Sequence, residues 1–252
     1  MTARVAFVTG GAQGIGRGIA EALGAAGFGV AVADLAADAA GGAVAAITAA
    51  GGKAVGVAVD VTDTASVTAG VKAVEDALGP IDVVVNNAGF DDFMLFLDTT
   101  EDFWERILDV NFKGALRVIQ AIAPGMVERG YGRIVNIGSD AGRVGSSMEA
   151  VYSGSKGGII AFTKTLAREL ARHGITANTV CPGPTDTPAL RKFADASGDS
   201  ADKVISGMTR GVPMRRLAQP ADIAAAVAFF ASDAAGYVTG QTLSVSGGLT
   251  MA

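Results

Sequence analysis

Short runs of β-branched and other apolar residues alternate along the chain with longer Ala- and Leu-rich stretches whose apolar positions recur at helical spacing. The short runs carry few polar interruptions, as strands buried on both faces of a parallel sheet require. The pattern predicts strands at Val5–Thr9, Gly29–Asp34, Ala54–Asp60, Ile81–Asn86, Gly132–Ile137, Thr176–Val180 and Gln241–Val245. Between them it predicts helices at Ile15–Ala26, Ala37–Ala50, Ala65–Leu78, Thr100–Glu128, Ala150–His173 and Ala221–Ala231. Crossovers of this size join parallel neighbours with a right-handed turn. The expected fold class is therefore α/β, one doubly wound sheet of seven parallel strands with helices on both faces.

Punctuation agrees with that plan. Asp63-Thr64-Ala65-Ser66 and Gln219-Pro220-Ala221-Asp222 read as helix starts, and Gly27, Gly79 and Gly174 fall where helices end in a left-handed residue. His173 sits in the last turn before Gly174, where an imidazole suits the helix dipole, so a capping role is expected of it rather than chemistry. The alternation breaks only at Thr185–Arg210, with Pro188, Gly198, Gly207 and scattered charges. An insertion just after a strand is a candidate substrate lid.

Length and composition narrow the class. At 252 residues the chain lies at the upper edge of one domain, so residues 1–252 are expected to form a single domain. Glycine accounts for 35 residues, roughly twice the usual ~7% share, while proline accounts for only 7, which excludes collagen and argues against a disordered linker. A net charge of −5 disfavours nucleic acid as a partner and points to a small molecule. One cysteine, Cys181, and one histidine supply neither an internal disulfide nor a structural zinc site, so no metal is expected and a reducing, cytoplasmic setting fits. The apolar N-terminal run is too short for a signal peptide, and the charge-free stretch from Ala234 to Ala252 is broken by Gly236, Gly240, Gln241 and Ser244, so no membrane span is expected.

Chemistry gathers at the predicted carboxyl ends of the strands. Gly10, Gly11, Gln13, Gly14, Ile15 and Gly16 lie between the first strand and the first helix, where backbone N–H groups and the positive helix end would face an anion. Gly10 allows the tight exit, Gly14 the close approach of a pyrophosphate and Gly16 the packing of helix on sheet, although the spacing departs from G-x-G-x-x-G and a glycine-rich turn without a ligand is the alternative. Asp34 ends the second strand 18 residues after Gly16, near the offset of the carboxylate that accepts from a ribose 2′-hydroxyl; a cap for the following helix near Ala36 is the plainer reading. A 2′-phosphate would meet like charge there, so NAD is expected over NADP. Asp60 and Val61, then Asn87, Ala88 and Gly89, add polar groups at the same edge.

Tyr152 and Lys156 are four residues apart on one helical face, which lets a phenol and an ammonium share a site; an ordinary solvated Tyr/Lys face is the alternative. Bringing a phenol from pKa ~10 to ~7 takes roughly 4 kcal/mol, which a neighbouring ammonium and an oxidised nicotinamide can supply. Ser139 falls just past the fifth strand and can hold a substrate oxygen beside that phenol. Asn111, a poor helix former inside a long helix, suggests a polar task such as holding a water that contacts Lys156, unless it is merely a surface residue. Pro182 and Gly183 follow the sixth strand, and Thr185 and Thr187 can reach a carboxamide.

Taken together, Thr9-Gly-x-x-x-Gly14-x-Gly16, Asn86-Asn-Ala-Gly89, Asn111, Ser139, Tyr152-x-x-x-Lys156 and Pro182-Gly183 resemble the short-chain dehydrogenase/reductase superfamily across essentially the whole chain. The resemblance implies a Rossmann-like fold and a hydride exchanged between nicotinamide and a carbonyl or secondary alcohol. It casts Tyr152 as acid/base, Ser139 as the group orienting the substrate oxygen, Lys156 as lowering the phenol pKa and binding the nicotinamide ribose, and Asn111 as sustaining a water relay. It also implies a homotetramer. Gln13 stands where many NADP-dependent members carry a basic residue, and Gly138 in place of a frequent Ser is expected to matter little.

The stretches Gly125–Arg129, Ser139–Ser147 and Cys181–Thr187 look most similar to dehydrogenases of a cyclic hydroxyacyl-CoA, 2-hydroxycyclohexanecarboxyl-CoA, and less closely to 3-oxoacyl carrier-protein reductases. The expected substrate is thus a cyclic or hydrophobic alcohol or acyl-CoA. Its expected pocket is Phe90, Asp91, Phe93, Arg143, Met148, Leu190 and Phe193, with Arg143 either meeting a phosphate or carboxylate or simply solvated. A carbonyl reductase is the second reading, and a dinucleotide-binding sensor without turnover the third.

Overall fold

The computed structural model describes residues 3–35, 37–196 and 200–251. Its strands are β1 (Val5–Thr9), β2 (Gly29–Asp34), β3 (Lys53–Ala58), β4 (Ile81–Asn86), β5 (Gly132–Ile137), β6 (Ile175–Pro182) and β7 (Thr242–Val245). They form one sheet in the order β3-β2-β1-β4-β5-β6-β7 with every pairing parallel. Chain order reverses between β1 and β4, so the crevice at their carboxyl ends is the place where such a sheet binds a ligand.

The helices are α1 (Gly14–Ala25), α2 (Ala37–Ala49), α3 (Thr64–Leu78), α4 (Glu101–Leu108), α5 (Gly114–Arg129), α6 (Ala141–Val144), α7 (Ala150–Leu170), α8 (Pro188–Ala196), α9 (Ala201–Gly211) and α10 (Pro220–Ala231). Alternate residues of β1 face opposite layers, because strand side chains have a period of two. Ala6 and Val8 pack with Ile19, Leu23 and Ile47 and with Val227 and Phe230, under α1, α2 and α10. Val5 and Phe7 pack with Val67, Val71 and Val74, with Ile119 and Ile122, and with Ala167, under α3, α5 and α7. Phe7 is fully buried; cutting it to Ala would cost about 3–5 kcal/mol.

The helix starts behave as read. Asp63 accepts from the N–H groups of Ala65 and Ser66, and Gln219 and Asp222 form a reciprocal cap ahead of α10. Gly174 takes the left-handed conformation after a single 3₁₀ turn, Ala171–His173, in which Arg172 donates to His173. Gly79 departs from expectation: its φ is +99° but its ψ of −176° is extended, so it turns the chain into β4 without a left-handed cap. The expected start of β3 shifts to Lys53, and the strand ends at Ala58, its last pairing closed by the Val59 N–H on the Asp34 carbonyl before Asp60 turns its carboxylate onto Thr62.

The largest correction concerns Thr100–Glu128. In place of one regular helix, α4 and α5 are joined by a π-helical turn, Asp109–Lys113, with Asn111 at its centre. Such single-turn widenings mark functional sites in many helices. The Thr185–Arg210 insertion is not a loop: it carries the amphipathic helices α8 and α9, while Gly198 lies outside the described residues. No helix among the described residues is long and apolar enough to cross a membrane.

Candidate active site

Thr9 stitches β1 to β4 at the point of reversal. Its hydroxyl oxygen accepts from the N–H groups of Asn87 and Ala88, both at 3.0 Å, and the Asn87 amide donates to the carbonyls of Thr9 and Gly10. Beyond it Gly10 and Gly14 adopt φ of +59° and +55°, which side chains disfavour. A Cβ at Gly16 would collide with the Gly10 carbonyl and the Asn87 amide, so helix α1 reaches the sheet only because that residue is glycine. Gln13 precedes α1 in extended conformation and its side chain caps nothing, which leaves the first N–H groups of the helix facing the crevice.

Across that crevice stands Thr187, 3.4 Å from where a Gly14 Cβ would be, with its hydroxyl capping Leu190 at the start of α8. A cradle walled by Gly14 and Thr187 and floored by open N–H groups suits the pyrophosphate of a dinucleotide. Asp34 lies at its far end, where its two oxygens accept from the N–H groups of Ala12 and Leu35; the helix-cap reading involves Ala36, outside the described residues. Asp60 is held by Thr62, whose two hydrogen bonds push its pKa down. Val61 is buried beside Gly114, and its carbonyl accepts from Arg117. Pro182 accepts from the Asp140 N–H, Gly183 approaches Ser246 too closely for a side chain, and Thr185 is buried against the Gly183 carbonyl. The chain thus holds residues that fit a nicotinamide dinucleotide.

The four expected catalytic residues come together. Ser139 faces Tyr152 closely enough for its hydroxyl to lower the phenol pKa, and that hydroxyl accepts from the Ala141 N–H. Lys156, one turn along α7, is 4% exposed; its Nζ lies 5.5 Å from the Tyr152 ring centre and donates to the Ile137 carbonyl at 3.0 Å. Asn111 is buried and fully engaged: its amide donates to Phe90 O at 2.6 Å and Ile107 O at 3.0 Å, and its carbonyl accepts from Phe90 N. Drawing the Ile107 carbonyl toward a side chain is what opens the π turn. The expected water site beside Lys156 has a counterpart in a cavity of about 10 Å³, room for roughly one water, lined by Thr9, Asn86, Asn111, Asn136 and Lys156. The buried Asn86 side-chain oxygen has no protein partner.

The electrostatics correct one expectation. In the coenzyme-free chain Tyr152 is pushed above its ordinary pKa, first by burial, then by the charges of Asp91 and Glu149; the Ser139 hydroxyl opposes them. Burial also pushes Lys156 down, to about 8. The ammonium therefore does not by itself make the phenol acidic, because the dry setting penalises its own charge.

The expected pocket is gathered in part. Phe93 packs on Phe193 of α8 with ring centres 3.8 Å apart, and the Met148 carbonyl, at a residue with φ of +67°, accepts from Met94 N. Asp91 is hydrogen-bonded to Glu149, and its pKa is raised to about 8 by burial and by that neighbour. Leu190 sits in the first turn of α8. Two residues are redirected. The Arg106 guanidinium covers the Phe90 ring at 4.2 Å, and Arg143 donates to Ser244 on β7, which in turn donates to Asp140 beside Ser139. Arg143 is half-buried, and its bond to Ser244 ties the Ser139 loop to the sheet. Gly138 also matters more than expected, since a Cβ there would sit 2.8 Å from the Cys181 sulfur. Glu149 and Thr9 were not singled out from the sequence, although Glu149 stands one helical turn before Tyr152, a spacing that could have exposed it.

Comparison with known proteins agrees with this geometry. A family model described as enoyl-(acyl carrier protein) reductase matches residues 10–250. The chain is 39% identical over 251 residues to a 3-oxoacyl-(acyl-carrier-protein) reductase of Vibrio harveyi, covering 98% of each protein. It is 40% identical over 246 residues to an acetoacetyl-CoA reductase of Shinella zoogloeoides, covering 97% of this chain and 98% of that protein. A crystal structure of a single-residue variant of actinorhodin polyketide ketoreductase with NADPH superimposes with a TM-score of 0.93 at 39% identity, covering 99% of each chain. Matched from the glycine-rich turn to the last strand, the chain belongs to the short-chain dehydrogenase/reductase superfamily, as an oxidoreductase of CH–OH and keto groups served by a nicotinamide dinucleotide.

Proposed function

We propose that the protein interconverts a ketone and a secondary alcohol on an acyl thioester. The observation that carries this reading is the Lys156 Nζ 5.5 Å from the Tyr152 ring with Ser139 facing the same phenol, set where Gly14 and Thr187 wall a dinucleotide cradle. The bound dinucleotide supplies or accepts the hydride and, when oxidised, a positive charge near the phenol. Tyr152 gives a proton to the substrate oxygen in reduction or takes it in oxidation, and Ser139 holds that oxygen in line. Lys156, anchored by Ile137, reaches toward the ribose, and Asn111 fixes the Phe90 backbone beside it.

A 3-oxoacyl thioester is the first choice of substrate, since the relatives above act on 3-oxoacyl carrier protein and acetoacetyl-CoA. That choice displaces the cyclic hydroxyacyl-CoA expected from sequence, which the Phe93–Phe193 wall keeps as a second reading because stacked rings suit a flat apolar substrate. Helix α8 would cover the substrate as a lid. For the coenzyme, Asp34 supports NAD: each of its oxygens takes one N–H and retains a lone pair for a ribose hydroxyl, while the nearby Arg17 is already paired with Glu21. The ketoreductase neighbour was solved with NADPH, so the point turns on Asp34 itself.

The test is a panel of 3-oxoacyl-CoA, cyclic 2-oxoacyl-CoA and simple ketones with each reduced coenzyme, read by nicotinamide absorbance. Reduction of the 3-oxoacyl thioester with NADH favoured is the expected result. Equal turnover with NADPH would remove the Asp34 argument, and no turnover of any ketone would remove the reading.

A further inference from the structure

Beside Tyr152 stands a pair of carboxyl groups that the proton transfer does not use. Glu149 precedes α7 and lies one turn before Tyr152; Asp91 comes from the loop after β4, 58 residues earlier in the chain. The two are brought into contact by the backbone. Met148 adopts a left-handed φ of +67°, costly for a residue with a side chain, and its carbonyl accepts from Met94 N at 2.9 Å, which clamps the Asp91 loop to the start of α7. Strain of this kind persists only where surrounding contacts enforce it.

The charged and titratable groups around the pair are few. Asp92 lies on the Asp91 loop, and Tyr152 and Lys156 lie on α7; Arg106 of α4 is committed to the neighbouring Phe90 ring. Among the described residues no lysine or arginine forms an ion pair with Asp91 or Glu149. Lys156 is within Coulombic reach, yet its Nζ is held by Ile137. No cation of the described residues therefore pairs with the two carboxyl groups, which stand beside Tyr152 with Asp91 keeping its proton up to about pH 8.

We propose that the Asp91–Glu149 pair determines specificity by excluding free carboxylates, so that only substrates whose acyl end is uncharged, as in a thioester or ester, bring their carbonyl to Tyr152. The proposal rests on the acyl-ketone reading above and deepens it. In a 3-oxo acid the carboxylate is two carbons from the reacting carbon, so with the ketone at Tyr152 it comes within range of the charges that act on the phenol. Thioester formation removes that charge without altering the ketone. Raising the pH past about 8, where Asp91 gives up its proton, adds a negative charge and sharpens the exclusion.

The experiment compares kcat/KM of the holoenzyme for ethyl acetoacetate and for acetoacetate, which share one ketone and differ in one charge. The neutral-over-anionic ratio should fall by roughly tenfold or more in Asp91→Asn/Glu149→Gln, and in the same direction by less in Glu149→Gln alone, since like charge at close range is what the pair supplies. In the unsubstituted protein the ratio should widen several-fold from pH 7 to pH 9, and by clearly less in the double variant. Lys156 loses its charge over the same range in both proteins, so the share of the pair is the difference between the two slopes. A ratio unchanged in both variants while the ester is still reduced overturns the proposal alone. Failure of the unsubstituted protein to reduce the ester with either coenzyme overturns the acyl-ketone reading and the proposal with it.

Discussion

Lys156→Met should make the coenzyme-free protein more stable at pH 7, and the gain should vanish in alkali. Lys156 is 4% exposed, with one hydrogen bond, to Ile137 O at 3.0 Å, and burial holds its pKa near 8 against an ordinary 10.5. Below pH 8 the ammonium is charged in both states, and the folded state bears the full cost of holding that charge in a dry setting. Between about 8 and 10.5 the unfolded chain binds more protons than the folded one, so stability rises with pH. Above that window both states are neutral and the cost is gone. At ~1.4 kcal/mol per pKa unit the cost is about 3 kcal/mol.

Methionine preserves the length of the side chain but loses the bond to Ile137, worth about 1 kcal/mol. The variant should therefore be about 2 kcal/mol more stable at pH 7 and slightly less stable than the parent at pH 10.5. Urea unfolding of both proteins at pH 7, 8.5, 9.5 and 10.5 gives the difference directly; residues common to both cancel in it. A difference independent of pH would show that Lys156 is not the desolvated group that the mechanism needs.

Other substitutions test separate parts of the site. Tyr152→Phe should lower turnover by roughly 100-fold or more, the low end for general acid/base groups, with dinucleotide affinity nearly unchanged in a fluorescence titration; near-normal turnover would remove the phenol from the chemistry. Asn111→Ala deletes three hydrogen bonds to Phe90 and Ile107 and should cost about 2–4 kcal/mol in urea unfolding while lowering kcat more than it raises KM. Gly16→Ala drives a methyl group into the Gly10 carbonyl and Asn87 amide, so it should abolish dinucleotide binding in a titration and lower Tm; retained affinity would dissociate the cradle from the glycine turn. Association beyond a monomer is expected in light scattering, because Tyr237 and Met251 leave 103% and 87% of their surface exposed in the isolated chain and β7 is an open sheet edge. A monomer would require those side chains to remain in water.

Most of the fold was legible because strand burial and helical period are local signals: β1, β2, β4 and β5 begin and end at the residues the pattern predicts. What the pattern missed was caused by single side chains acting across the chain. The π turn at Asn111 displaces the helical period by one residue, too little for periodicity to reveal, although the poor helix propensity of Asn111 pointed at the right place. Gly79 shows the limit of reading caps by residue type, since glycine is used there for a positive φ without the left-handed ψ. The nearness of Tyr152 and Lys156 was legible because their spacing on α7 is local. The pocket was not: whether Arg143 meets a substrate or Ser244, and whether Asp91 meets Glu149, depends on contacts between segments 58 or more residues apart.

The same burial explains why the site is incomplete without its coenzyme. Desolvation raises the phenol and lowers the ammonium, so both groups drift toward their neutral forms, and Asp91 and Glu149 push Tyr152 further the same way. An enzyme that needs a phenolate for oxidation would thus be held inactive by its own interior until positive charge arrives beside Tyr152. A carboxyl pair that opposes ionisation of the phenol is costly in both directions, because oxidation starts from the phenolate and reduction ends on it. The charge that would offset the pair is that of the oxidised nicotinamide, present at the start of oxidation and formed at the end of reduction.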